Sequence, residues 1–160
     1  MATVIKAPNP YPRMGKYTIF LAGSIDMGKT RPWHEEVFKA LKDLDIQILS
    51  PKRDDWDDSW TQEADDPQFR EQVTWEFNAM RSADLILYCF TKESKAPVTM
   101  YELGRFGDEK DCIVCVEEGF YRQGNLHLYC EFDNIPIYRK LDEMLEDLHK
   151  ALENETHKEK

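Results

Sequence analysis

Tyr17-Thr18-Ile19-Phe20-Leu21-Ala22-Gly23 decides the fold. This β-branched and aromatic run ends in glycine and reads as a buried strand. Helix signals follow it: Pro32 near a first turn, then Trp33, Val37, Phe38, Leu41 and Leu44 on one stripe. Ile46 to Leu49 is a second short strand, stopped by Ser50-Pro51. Asp66-Pro67 reads as a helix cap with proline at the first helical position, and Phe69, Val73, Phe77 and Met80 continue as a helical stripe. Leu85 to Phe90 forms a third strand, Thr99 to Phe106 opens a helix, and Cys112 to Val116 forms a fourth strand. Leu126 to Cys130 reads as a fifth strand, and Leu141, Met144, Leu145, Leu148 and Leu152 mark a final amphipathic helix.

Strands that alternate with helices build parallel βαβ units with right-handed crossovers, so the expected class is α/β. Residues 1–16 read as a proline-rich lead-in, 17–153 as one domain and 154–160 as a polar tail. Ligands bind such sheets beyond the carboxyl ends of the strands. The loops after Ala22, Leu49, Phe90, Val116 and Cys130 are therefore the expected site.

Composition narrows the function. The 160 residues suit one domain, and 41 % hydrophobic residues with 12 % aromatic can build its core. Lys and Arg number 21 against 31 Asp and Glu, a net charge of −10. Such a balance disfavours nucleic-acid polymers and anionic membranes as partners. No apolar run reaches the roughly 20 residues of a membrane helix, and the N-terminus has no signal-peptide core, so the expected location is cytoplasmic. Cys89, Cys112, Cys115 and Cys130 all lie in apolar, strand-like segments and read as reduced core thiols.

Several motifs compete. Gly23 to Thr30 matches G-x-x-x-x-G-K-[ST] after a strand, the pattern of a phosphate-binding loop with Lys29 and Thr30 in the working positions. Against it, Asp26 puts an anion in the loop, and Pro32-Trp33 sits where the supporting helix should already run. Cys112 and Cys115 are three apart in a strand, so they point to opposite faces and share no metal. His34, His127, His149 and His157 have no ligand spacing and read as surface or sheet residues.

Two carboxylates stand apart. Glu76 lies three residues after Val73 and four before Met80, at the edge of an apolar stripe. Partial desolvation there raises a carboxyl pKa and suits it to proton transfer; the plainer reading is a boundary glutamate that reaches into water. Glu102 follows Thr99 as T-x-x-E, a capping box in which it bonds back to the Thr99 backbone. The functional reading is a carboxylate at a helix start beyond the third strand, kept ionised and nucleophilic by the helix dipole.

At these positions the chain resembles the nucleoside 2-deoxyribosyltransferase family and its 2′-deoxynucleoside 5′-monophosphate N-glycosidase relatives. The matching elements are Ile19-Phe-Leu-Ala-Gly-Ser-Ile25, Pro51-Lys-Arg-Asp-Asp-Trp56, Gln72-Val-Thr-Trp-Glu76, Ala83-Asp84, Tyr101-Glu-Leu-Gly104 and Arg122-Gln-Gly-Asn125. The resemblance implies a flavodoxin-like, Rossmann-like three-layer fold with a parallel sheet of about five strands. It implies Glu102 as nucleophile, Glu76 as a helix-borne acid near sugar or base, and no metal or organic cofactor. Gly23, Ser24 and Ile25 would line the 5′ end of a nucleoside. Asn125 would reach a neighbouring subunit's site in a homodimer or larger even-numbered homo-oligomer.

A carboxylate can trap the anomeric carbon as a glycosyl ester, which a second free base then attacks. The implied substrates are thus a small-molecule nucleoside and a nucleobase. Hydrolysis of nucleosides or their 5′-monophosphates is the alternative on the same fold. Trp56 offers a face for stacking a base and Asp55 acceptors for its edge; their plainer readings are loop packing and a solvated charge. The chain departs from relatives at Phe20, where many carry a tyrosine, and at Ala96, where transferases carry aspartate and the hydrolases serine. Asp26 replaces the hydrolases' arginine and should repel a 5′-phosphate, although Arg53 or Lys29 can offset it.

Overall fold

The computed structural model describes residues 1–12, 15–24, 31–55 and 59–158. The described residues form six strands and five helices: β1 (Thr3–Lys6), β2 (Tyr17–Gly23), α1 (Trp33–Leu41), β3 (Ile46–Ser50), α2 (Pro67–Ser82), β4 (Leu85–Phe90), α3 (Pro97–Phe106), β5 (Cys112–Val116), α4 (Gln123–Phe132), β6 (Ile137–Tyr138) and α5 (Leu141–Lys158). The strands form one parallel sheet in the order β1-β3-β2-β4-β5-β6. This is the expected three-layer, flavodoxin-like arrangement with one more strand than expected.

Each layer follows from the residues. α1 and α5 cover one face of the sheet, where Trp33, Val37, Leu41, Met144 and Leu148 meet Ile19, Leu21, Ile48 and Leu87. α2, α3 and α4 cover the other, where Met80, Leu103, Phe106 and Leu126 meet Phe20, Ile86, Tyr88 and Val114. Cys112 faces the second layer and Cys115 the first, as strand alternation requires. β4 is buried along its whole length, the pattern of a strand covered on both faces.

Three differences from the sequence reading have physical causes. The lead-in contains β1, because Thr3-Val4-Ile5 is a short β-branched run that pairs with β3 before Pro8 ends it. Leu126 to Cys130 is helix and not strand: Leu126 and Cys130 are buried four residues apart, while Leu128 between them is exposed. The fifth strand of the expected order is instead the two-residue β6. The polar tail continues α5 as far as Lys158.

The chain leaves β2 for β3 on one side and then returns to β4 on the other. The order therefore reverses between β2 and β4, and the crevice beyond their carboxyl ends is the natural binding place of such a sheet.

Candidate active site at the β2–β4 switch point

Gly23 ends β2 at the lip of this crevice. A Cβ there would collide with the Trp33 ring and the Cys89 carbonyl, so only glycine lets α1 close against β2. Trp33 then donates from Nε1 to the Ser24 carbonyl at 3.3 Å. Ile25 and Trp56 lie outside the described residues, as do Asp26, Gly28, Lys29 and Thr30 of the phosphate-loop reading.

On the other lip, the β4–α3 turn holds Ala96 at φ 46°, ψ 50°, in the left-handed region. Pro97 follows it at the first position of the helix, where its missing N–H costs nothing. α3 consequently starts at Pro97, and its cap residue is Ala96. Thr99 is a buried third-position residue, so the capping-box reading of Thr99 and Glu102 is corrected. Glu102 is the sixth residue of α3, past the turn on which the dipole acts.

Burial decides the charge of Glu102. Desolvation, followed by the charge of Glu76, lifts it to about 8. Burial therefore opposes the ionised form that the dipole reading expects. Desolvation likewise lifts Glu76 to about 7, opposed by a hydrogen bond from Gln72. Glu76 sits within the half-buried face of α2, because the buried residues are Gln72, Ala79 and Met80. The row Val73–Phe77 faces outward instead, at 44 % and 41 % exposure. Both carboxyl groups are thus desolvated, and the charge of Glu76 on α2 further opposes ionisation of Glu102 on α3.

Gln72 is a further candidate that spacing could have exposed, since it precedes Glu76 by one helical turn. Its Nε2 donates to the Pro51 carbonyl at 2.8 Å and to Glu76 Oε1 at 3.2 Å. It couples the acid to the loop after β3. Among the described residues its Oε1 is buried without a partner, as are the hydroxyls of Tyr88 and Thr91 and the Nε2 of His34. No sequence pattern announces an unpartnered atom. His34 is buried in α1 against Trp33, neither on the surface nor in the sheet, and burial pushes it down to about 3.

The remaining expected residues divide. Phe20 is buried under Trp75, with ring centroids 6.4 Å apart, and supports the site floor. Arg53 pairs with both oxygens of Asp55 at 2.9 and 3.0 Å, with Glu71 at 3.1 Å, and stacks 4.8 Å over Trp60. Asp55 therefore holds the loop after β3 through Arg53, and Arg53 already faces two carboxylates. Asn125 lies exposed on α4. His149 binds Asp43 at 3.0 Å and lies 3.8 Å from Glu153, in a separate cluster joining the end of α1 to α5.

A family model described as nucleoside 2-deoxyribosyltransferase-like matches residues 16–120. The chain belongs to the nucleoside 2-deoxyribosyltransferase-like family. The matched stretch spans β2 to β5 and includes both Glu76 and Glu102, and it ends before Asn125. No curated protein matches the chain. Membership supports a general role in nucleoside processing and glycosyl transfer, with nucleosides and nucleobases as the substrate class. Among the described residues no helix is long and apolar enough to cross a membrane.

Proposed function

We propose that the protein moves a 2-deoxyribosyl group between nucleobases through a covalent ester on Glu102. The carrying observation is the desolvated Glu76–Glu102 pair at the switch point. In the first half, a Glu102 oxygen bonds to C1′ as the C1′–N bond breaks. The bond's electron pair goes to the base, which takes a proton from Glu76. In the second half, an incoming base attacks C1′, the ester bond breaks, and the base's proton passes to Glu76. A carboxyl with a value near neutrality suits both proton steps, and two displacements retain configuration.

An unphosphorylated substrate is favoured. Arg31 is bonded to Glu36 at 2.6 and 2.7 Å and to Glu117 at 2.9 Å, and Arg53 is held by Asp55 and Glu71. Neither guanidinium is left uncompensated for a phosphate. The four free, buried cysteines fit a cytoplasmic setting.

We read the working form as a homodimer or larger even-numbered assembly with Asn125 contributed across an interface. The support is apolar surface on the layer that carries both acids: Phe77 of α2, Val98 and Tyr101 of α3, and Tyr129 and Phe132 of α4 are 41–75 % exposed.

Incubation with a deoxynucleoside and a second free base tests the chemistry. A new nucleoside, lost in Glu102→Gln, and an intact-mass adduct of one deoxyribosyl group are expected. Free deoxyribose alone would move the reading to hydrolysis, and unchanged turnover in Glu102→Gln would sink it. Mixing inactive Glu102→Gln with inactive Asn125→Ala chains should restore activity if sites are shared between subunits, and should not if each site is complete alone.

A further inference from the structure

Gln72 is 5 % exposed on α2, one helical turn before Glu76. Its amide joins two parts of the site. Nε2 donates at 2.8 Å to the carbonyl of Pro51, the residue that follows β3, and at 3.2 Å to Glu76 Oε1. The Pro51 carbonyl can only accept, so the amide fits one way round: flipped, its oxygen would face another oxygen. Both N–H groups are then used, and Oε1 stays buried with no partner among the described residues. A buried acceptor that has lost water and gained no donor is costly, and a ligand N–H would remove that cost.

The neighbouring carboxyl says which ligand group fits. Glu76 touches the same amide, so a base that meets Glu76 lies beside Gln72 as well. Desolvation holds the Glu76 proton to about 7, which makes its carboxyl a donor below that pH. An acceptor beside a donor is the complement of an amino group beside a bare ring nitrogen. Adenine carries that edge at N6 with N1 or N7, and cytosine carries it at N4 with N3. Hypoxanthine and uracil put a carbonyl oxygen where the amino group stands. That oxygen would face Gln72 Oε1 as acceptor against acceptor, whether Glu76 is protonated or ionised.

We propose that Gln72 selects the nucleobase: its Oε1 accepts an exocyclic N–H while Glu76 Oε2 meets the adjacent ring nitrogen. The site therefore takes amino-bearing bases, adenine and cytosine, over their oxo counterparts. This rests on the nucleobase-transfer reading of the same site and adds the chemistry by which one base is told from another.

Calorimetric titration of free bases into the whole protein tests the contact without turnover. Adenine should bind at least about tenfold more tightly than purine, which lacks only the amino group, and than hypoxanthine, which replaces it with oxygen. Cytosine should exceed uracil by a similar factor. In Gln72→Met, which keeps the length and removes the amide, the adenine-to-purine ratio should fall to within about twofold. That ratio compares two ligands on one protein, so a general loss of stability cancels from it. The ratios in the parent protein decide the matter even if the variant does not fold. Equal affinity for adenine and purine, the result expected if Oε1 only holds a water, overturns the proposal. So do a ratio unchanged in Gln72→Met, tighter binding of hypoxanthine, and no binding of any base. The transfer reading fails separately, by full activity in Glu102→Gln. Transfer that depends on Glu102 but ignores the amino group would leave that reading standing and remove the role of Gln72.

Discussion

The proposed chemistry turns on two glutamates that the fold makes costly to ionise. An unfolded glutamate releases its proton near 4.5, whereas burial holds the proton on Glu76 to about 7 and on Glu102 to about 8. Between these values the folded chain binds more protons than the unfolded one, so stability falls as pH rises from 4.5 toward 8. Glu102→Gln removes the charge and keeps the shape. It is expected to be more stable than the parent at pH 8 by on the order of 1 to 3 kcal/mol, with the gap closing by about pH 5. Urea melts at the two pH values measure this, and an equal gap at both would show that burial is not the cause. Gln72 works in the opposite sense, because its amide stabilises the Glu76 anion. Gln72→Leu should therefore raise the Glu76 titration midpoint and carry the basic limb of the pH–rate profile upward. A midpoint that stays or falls would contradict that assignment.

Individual elements explain what the sequence could and could not reveal. β2, β4 and β5 were legible to the residue, because a strand buried on both faces must be a continuous apolar run. The α2 cap was legible too: Asp66 accepts from the backbone N–H groups of Gln68 and Phe69 at 3.0 and 3.2 Å, with Pro67 first in the helix. The short β1 and β6 were not, since edge pairing draws its energy from a neighbour and leaves little local pattern. The apolar row of α2 misled, for Val73 and Phe77 point away from the core while Gln72 and Glu76 lie toward it. Both acids were visible as candidates, but their mutual charge depends on how α2 and α3 pack, which spacing along either helix does not contain. Gly23 shows how tightly that packing is set. Gly23→Ala drives a methyl into Trp33 and the Cys89 carbonyl, so it should destabilise by about 1 to 3 kcal/mol. It should also lower activity by displacing the loop at the lip of the crevice. A variant with unchanged melting temperature would mean that α1 can back away freely.

Over the whole molecule, the net charge of −10 is uneven. Residues 54–66 contain seven acids and no base. The fold uses several of them: Asp54 bonds Lys6 at 3.1 Å, Asp55 bonds Arg53, and Asp66 caps α2. Lys6 and Arg53 offset Asp54 and Asp55 locally, so the other five acids of the stretch are the source of its negative field. The field falls at the carboxyl edge of the sheet, where the two acids lie. Such a field is expected to leave a neutral nucleoside untouched and to repel a nucleoside monophosphate. At roughly 10 mM salt the screening length of about 30 Å spans the site, whereas near 1 M it shrinks to about 3 Å. The kcat/KM for a deoxynucleoside should therefore change little across that range. The value for its 5′-monophosphate should start at least about tenfold lower and rise with salt as repulsion is screened. If added salt instead weakens the monophosphate, a cationic phosphate site outweighs the acidic loop, and the preference for unphosphorylated substrate is reversed.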